Sequence, residues 1–162
     1  MMRHKKQKGF TLIEVIIYIA LFSLLMGSAF LIAYQLFEGS GKLSVKNTVQ
    51  EEGNFVIRKF NWAMNNASAF SISGSELTIN KHDGTKVDIC LDSEKIKIWK
   101  GSGSVPSCSN VAFLPITTDN VQVIDLQFTS VGTDPLGVSM LAKIKTINTS
   151  PLDFTITKYI RK

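Results

Sequence analysis

The sequence contains few of the residues from which catalytic sites are usually built. Histidine occurs only twice in 162 residues. His82, the one beyond the first nine residues, stands beside an Asp83–Gly84 turn, where a histidine is most often solvated. No Gly-x-Ser-x-Gly motif, phosphate-binding loop, paired-histidine metal motif or dinucleotide fingerprint occurs. We therefore expect that the chain is not an enzyme and uses no cofactor.

Clusters of possible metal ligands are equally scarce. Asp88, Asp92 and Glu94 lie close together in the chain and carry the oxygen ligands that a calcium ion prefers. Their spacing, however, matches no calcium-binding motif. We expect these side chains to lie on a solvated strand edge, and we predict no metal site.

Cysteine is limited to Cys90 and Cys108. The two form no Cys-x-x-Cys pair, which argues against zinc binding or redox catalysis. In an oxidising compartment an even pair is a disulfide candidate, and closing this loop would stabilise the fold by about 3 kcal/mol. Two free thiols, with Cys90 simply buried, are the alternative.

Acidic residues are missing from the first nine positions, and this explains most of the net charge of +5. Arg3, Lys5, Lys6 and Lys8 supply four of the 18 basic side chains. Without them, 14 basic residues face 13 acidic residues, a net charge of +1, and no basic stripe follows in the sequence. The charge distribution therefore gives no firm evidence for a nucleic-acid partner.

Charge is almost absent between Phe10 and Phe37, where Glu14 is the only formally charged side chain in 28 residues. As a helix this segment would extend about 42 Å, enough to cross a hydrocarbon core of about 30 Å. A secretory signal peptide shares the basic start, but its apolar run is only about 7–15 residues long. The length also argues against a buried core helix. We predict one membrane-spanning helix over residues 10–37, with its basic end cytoplasmic and the rest of the chain extracytoplasmic.

The junction between the basic start and the apolar run has the sequence Gly9-Phe10-Thr11-Leu12-Ile13-Glu14. A carboxylate in a spanning helix costs about 2–3 kcal/mol at full depth, so Glu14 needs a partner or must reach toward the headgroups. A short basic leader, a glycine, an aromatic residue and an acid four residues later occur together here. This combination resembles the type IV prepilin signal of type IV pilins and type II secretion pseudopilins.

The resemblance implies that a membrane prepilin peptidase cleaves between Gly9 and Phe10 and that Phe10 is then N-methylated. It also implies a partner for Glu14, namely the new α-amino group on Phe10 of a neighbouring subunit. Two charges that are each costly in a low-dielectric bundle are tolerated as a pair. Glu14 and Phe10 are therefore expected to form an assembly contact. The implied partners are other pilin or pseudopilin subunits, the prepilin peptidase, a membrane assembly platform and membrane lipid before assembly.

Two further features bear on the kind of subunit. No proline occurs between Phe10 and Phe70, whereas many major pilins carry a helix-breaking proline in this helix. The segment LPITTDNVQVIDLQF at 114–128 resembles the corresponding part of J-type pseudopilins of type II secretion and of W-type minor pilins. Both features favour a minor subunit.

Beyond the apolar run the sequence predicts an amphipathic helix and then a sheet. EGSGK at 38–42 is either a hinge or a weak point in a continuous helix, and apolar residues follow at helical spacing from Val45 to Phe70. Alternating strand patterns then occupy 76–91, 94–100, 120–128, 138–147 and 153–160, with a hairpin turn at Asp83–Gly84 and a polar loop at 101–110.

These patterns predict an α+β, pilin-like fold in which a long N-terminal helix packs on an antiparallel sheet. We divide the chain into a removable leader at 1–9, a membrane-spanning helix at 10–37, a hinge and amphipathic helix at 38–70, and an extracytoplasmic β-rich domain at 71–162.

The function that these inferences favour is that of a minor pilin. It would be a structural subunit of a type IV pilus that enters the filament after cleavage and helps to initiate or modulate assembly. A type II secretion pseudopilin shares the signal and stays open as an alternative. A membrane-anchored adhesin or binding module that never polymerises is the alternative of another class, and an anchored enzyme is the least favoured.

Overall fold

The computed structural model describes residues 11–147 and 149–160. The chain divides into two compact units, Met1–Leu43 and Ser44–Lys162. Each unit is described by itself below. The prediction of an α+β fold with one long N-terminal helix and antiparallel strands is confirmed.

Helix α1 begins at Leu12 and ends at Met64. Its part in the first unit has almost every side chain exposed, including the large apolar side chains from Leu12 to Phe37. Among the described residues, α1 is the one helix that is long and apolar enough to cross a membrane. The sequence allowed either a hinge or a continuous helix at residues 38–42, and these residues have helical backbone.

In the second unit α1 is amphipathic, as predicted. Val49, Val56, Phe60 and Ala63 are buried and face the core. These intervals of three, four and seven residues place one helical face against the sheets, and burial of that apolar face stabilises the packing.

The helix ends earlier than residue 70, the predicted boundary, and this is a correction. Asn66 adopts a left-handed backbone conformation with φ 63°, which stops a helix and which asparagine tolerates well. Ala67 and Phe70 then lie in strand β1, Ala67–Ser73. A β-bulge between Ala67 and Ala69 interrupts the alternation, so Ala67 and Phe70 both pack against the core although they are three residues apart. Residues three apart also share one face of a helix, so this spacing predicted that the helix continues to Phe70.

The first sheet has five antiparallel strands in chain order. After β1 they are β2 (Glu76–Lys81), β3 (Lys86–Asp92), β4 (Lys95–Gly101) and β5 (Leu114–Pro115). The hairpin between β2 and β3 was predicted, and its turn contains Gly84 with φ 80°. Leu77, Ile79, Val87 and Ile89 from this hairpin are fully buried in the core.

The second sheet has three antiparallel strands, β6 (Gln122–Val131), β7 (Gly137–Lys145) and β8 (Leu152–Tyr159). Leu126, Phe128, Met140 and Ile144 from β6 and β7 are buried. They belong to the same core as the buried residues of α1 and of the first sheet, and the rings of Phe60 and Phe128 lie 6.5 Å apart.

The single sheet that the sequence predicted is thus two sheets. The short strand β5, which the sequence did not predict, pairs with β4 for only two residues. Beyond Pro115 the contact with β4 continues through the amide of Ile116, which donates a hydrogen bond to the Ile96 carbonyl oxygen at 2.8 Å. The next long strand, β6, pairs instead with β7 and begins the second sheet.

Candidate functional site

The predicted processing site lies at the very start of the chain. Gly9 and Phe10 fall outside the described residues, which begin at Thr11. The carbonyl oxygen of Thr11 accepts hydrogen bonds from the backbone amides of Glu14, at 3.1 Å, and Val15, at 3.3 Å. The first turn of α1 therefore forms directly after the predicted cleavage point.

Glu14 lies in this first turn and is half-buried, whereas its neighbours are exposed. The hydroxyl of Tyr18 donates a hydrogen bond to Glu14 Oε1 at 3.4 Å. A carboxylate is favourable at this position because the unpaired amides at a helix N-terminus carry partial positive charge. Within the described residues, no basic side chain forms an ion pair with Glu14.

Tyr18 was not among the predicted site residues. Its spacing of four residues from Glu14 places both side chains on one helical face, and this spacing was the signal that could have identified it. This long hydrogen bond engages one oxygen of the Glu14 carboxylate, and the other oxygen can accept from a different donor.

The helix around Glu14 presents a continuous apolar surface. From Leu12 to Phe37 its large side chains are exposed, with Leu12, Phe30, Tyr34 and Phe37 among the most exposed. A soluble monomer rarely exposes so much apolar surface, so this segment is suited to a lipid environment or to packing against other helices.

Cys90 and Cys108 form a disulfide, the pairing that the sequence suggested. Their Cα atoms lie 6.2 Å apart and the two residues are separated by 18 positions. Cys90 projects from the face of β3 opposite Val87 and Ile89, yet it is buried. The disulfide thus holds the 101–110 loop against the outer face of the first sheet.

Asp88 lies on the same outer face and is fully buried, so the prediction of a solvated strand edge is wrong for this residue. Thr78 on the neighbouring strand donates a hydrogen bond to Asp88 Oδ2 at 2.5 Å, and Asp88 Oδ1 has no partner among the described residues. Burial raises the pKa of Asp88 from 3.8 to about 6; the Thr78 hydrogen bond opposes this rise, and the nearby Glu76 carboxylate adds to it.

The other acids of that cluster are arranged differently. Asp92 pairs with Lys97 at 2.5 Å, and this hydrogen bond lowers the pKa of Asp92. Glu94 lies exposed in the β3–β4 turn with φ 60°. Across residues 11–147 and 149–160, no group of three or more histidine, cysteine, aspartate or glutamate side chains could hold a metal ion.

His82 is exposed at the tip of the β2–β3 hairpin, as expected. Beside it, Asp83 Oδ1 accepts hydrogen bonds from the amide and the hydroxyl of Thr85, at 2.9 and 2.6 Å, which stabilise the turn. His82 also lines a cavity of about 480 Å³ near the end of α1, together with Asn65, Lys158 and Tyr159. This set contains no nucleophile adjacent to a base.

Residues 4–30 match the family described as the prokaryotic N-terminal methylation motif, a prepilin-type signal. The match includes Gly9, Phe10, Glu14 and the first part of α1. No curated protein and no solved structure matches the chain. The motif and the long apolar helix together fit a membrane-anchored pilin or pseudopilin.

Proposed function

We propose that this chain is a minor pilin, a low-abundance structural subunit of a type IV pilus that helps to initiate or modulate assembly. The observation that carries the proposal is the methylation motif at residues 4–30 at the head of a helix whose apolar surface is exposed. The absence of proline between Phe10 and Phe70 and the resemblance of segment 114–128 to W-type minor pilins support a minor subunit over a major one.

Before assembly the chain would span the cytoplasmic membrane once. The four basic residues of the leader favour a cytoplasmic N-terminus, and the Cys90–Cys108 disulfide is consistent with an oxidising, extracytoplasmic location for the second unit. The prepilin peptidase then cleaves after Gly9 and Phe10 is N-methylated. A membrane assembly platform extracts the subunit into the filament.

Within the filament the Glu14 carboxylate forms an ion pair with the α-amino group of Phe10 of a neighbouring subunit. The Tyr18 hydrogen bond supports this role, because it orients the Glu14 carboxylate in the first helical turn. Removing either charge would leave the other buried and unpaired, which is strongly destabilising. The same pairing would operate in a type II secretion pseudopilus, so a pseudopilin remains the alternative within this class.

An anchored adhesin or binding module that never polymerises is the alternative of another class. It would retain its leader and would leave the Glu14 carboxylate without the α-amino partner. We also propose that the chain has no enzymatic activity, since the residues around His82 and Asp88 form no nucleophile–base arrangement.

A filament-incorporation assay tests the proposal. Pili are sheared from cells that produce wild-type chain, Glu14→Leu or the control Glu51→Leu, which makes the same change at an exposed position of the same helix, and the chain is quantified in the filament and membrane fractions. We expect Glu14→Leu to be cleaved but absent from filaments, and Glu51→Leu to be incorporated. Wild-type amounts of Glu14→Leu in filaments would refute the assembly contact. Absence of the wild-type chain from every filament fraction would favour the anchored module.

A further inference from the structure

A cluster of cationic and aromatic side chains, the basic–aromatic patch, lies at the seam between α1 and the first sheet. Its centre is Trp62, and three ammonium groups surround the ring. The Nζ atom of Lys81 lies 4.7 Å from the ring centroid, that of Lys100 lies 5.6 Å away and that of Lys59 lies 5.9 Å away. These distances are typical of cation–π interactions.

The patch continues along the helix to a second aromatic ring, that of Phe55. Lys59 Nζ lies 5.3 Å from the Phe55 centroid, and the guanidinium carbon of Arg58 lies 5.8 Å from it. Trp62 is 42% exposed and Phe55 is 36% exposed. Two partly open aromatic rings are therefore bordered by four cations.

Secondary-structure geometry explains why residues far apart in sequence meet here. Phe55, Lys59 and Trp62 are spaced by four and three residues, so they share one helical face beside the core-facing stripe. Lys81 follows Leu77 and Ile79 on the inward row of β2, and Lys100 follows Ile96 and Ile98 on that of β4. Each strand thus ends its apolar row with a lysine that reaches Trp62.

The lysines of the patch are not neutralised as others in the same unit are. Lys95 pairs with Asp119, Lys97 with Asp92 and Lys143 with Asp125. Among the described side chains, Lys59, Lys81 and Lys100 form no ion pair with a carboxylate.

The positive charges of the patch therefore repel one another, with no ion pair to a described carboxylate to offset the repulsion. Partial burial, and then repulsion from Lys100, lower the pKa of Lys81, while Asp83 acts weakly in the opposite sense. Asp83 is itself occupied by Thr85, whose hydrogen bonds are the main cause of its lowered pKa. An anion placed between the lysines would relieve their mutual repulsion.

We propose that the basic–aromatic patch binds single-stranded nucleic acid, with phosphates held by Lys59, Lys81 and Lys100 and an unpaired base stacked on the exposed part of Trp62 or Phe55. Nonspecific single-strand sites combine these two elements, a positively charged surface and aromatic rings on which bases stack. An acidic peptide or a lipid headgroup would use the cations but would leave both rings without a stacking partner. Duplex DNA keeps its bases stacked internally and would use the cations alone.

The proposal does not depend on the filament role. The lysines are drawn from a helix and two strands, which is why no basic stripe is visible in the sequence. A net charge near zero beyond the leader is compatible with a local patch, because three other lysines of the unit, Lys95, Lys97 and Lys143, are paired with acids elsewhere.

Fluorescence anisotropy of a labelled oligothymidylate of about 16 nucleotides tests the proposal, with the full chain in neutral detergent. The variants are Lys81→Gln/Lys100→Gln and Trp62→Ala, with Trp62→Phe as a variant that retains a ring. Lys143→Gln/Lys145→Gln on β7 of the second sheet is the control with the same change in charge. The leader contributes equally to every variant, so differences between them report on the patch, and circular dichroism checks that each variant is folded.

We expect Trp62→Ala to weaken binding by about tenfold, with Trp62→Phe close to wild type. The slope of log affinity against log salt, measured between about 50 and 200 mM, should become less negative by about 1.4 in Lys81→Gln/Lys100→Gln, because each phosphate contact contributes about 0.7 for single strands. The control should keep the wild-type slope.

Three outcomes would overturn the proposal. The first is wild-type affinity in both patch variants, which would assign any binding to the leader or elsewhere. The second is patch-dependent binding to phosphatidylglycerol vesicles or heparin with none to the oligonucleotide, which would assign the patch to lipid or acidic polysaccharide. The third is equal binding of duplex and single strand with no effect of Trp62→Ala, which would remove the stacking role. If Trp62→Ala does not fold, Trp62→Leu, which fills the site without an aromatic ring, replaces it.

Discussion

Replacing Asp88 with asparagine should stabilise the second unit at neutral pH and remove part of its pH dependence. Asp88 is fully buried on the outer face of the first sheet, next to Thr78 on one strand and opposite Trp99 on the other. Within the part of the chain that the structure describes, the one charged group that contributes to its raised pKa is the Glu76 carboxylate, which is of the same sign, and no cation there compensates the ionised form.

The magnitude follows from the difference in pKa between the folded and the unfolded chain. The folded-state pKa is about 6, against an ordinary value of 3.8. Below the lower value Asp88 is protonated in both states and its ionisation has no effect. As the pH rises toward 6 the unfolded chain ionises first, so the free energy of unfolding falls, by about 3 kcal/mol in total at about 1.4 kcal/mol for each pKa unit. Asparagine does not ionise, and its amide can donate to Glu76 while its oxygen still accepts from Thr78.

Guanidinium unfolding of the detergent-solubilised chain, monitored by tryptophan fluorescence between pH 4 and pH 7.5, measures this effect. Both tryptophans, Trp62 and Trp99, lie in the second unit and report on it. Asp88→Asn should exceed wild type by up to about 3 kcal/mol at pH 7 and lose this advantage toward pH 4. Asp153→Asn, at an exposed position of β8, is the matched control and should change little. A variant less stable than wild type at every pH would refute the reasoning, since it would mean that the fold requires the carboxylate.

The remaining predictions concern packing and the disulfide. Gly53→Ala should destabilise the second unit by about 1–3 kcal/mol, because an added Cβ would collide with the Phe154 ring; in the Phe154→Ala background the same change should instead stabilise the helix by up to about 1 kcal/mol. Destabilisation in both backgrounds would contradict the assignment to Phe154. Replacing Cys90 and Cys108 together by serine should lower the free energy of unfolding by about 3 kcal/mol, as expected for a loop of 18 residues, and an unchanged denaturation midpoint would show that the bridge does not contribute.

The parts of this protein that depend on neighbouring residues were predictable from the sequence. The apolar run, the motif around Glu14 and the Asp83–Gly84 hairpin each involve only a short stretch of chain, so their patterns are complete within it. The helix end was harder, because the β-bulge at Ala67 produces a spacing that resembles a helix.

Three features that depend on distant residues were not predicted: the burial of Asp88, the packing of Gly53 and the basic–aromatic patch. Asp88 alternates with Val87 and Ile89, so the period of two places it on the outer face and predicts exposure. It is nevertheless fully buried, on the face to which the disulfide anchors the 101–110 loop. Likewise, only the close approach of the Phe154 ring explains why a glycine occupies position 53 of the helix. The basic–aromatic patch combines residues of α1, β2 and β4, which lie too far apart in the sequence to form one local pattern.

Mass spectrometry of the native N-terminal peptide, with and without an active prepilin peptidase, tests the central claim most directly. The account predicts a peptide that begins with N-methylated Phe10 when the peptidase is active and an intact leader when it is not. A chain that begins at Met1 or Met2 under both conditions would contradict the account. Glu14 would then lack the α-amino partner proposed for it, and an anchored binding module would be the better explanation.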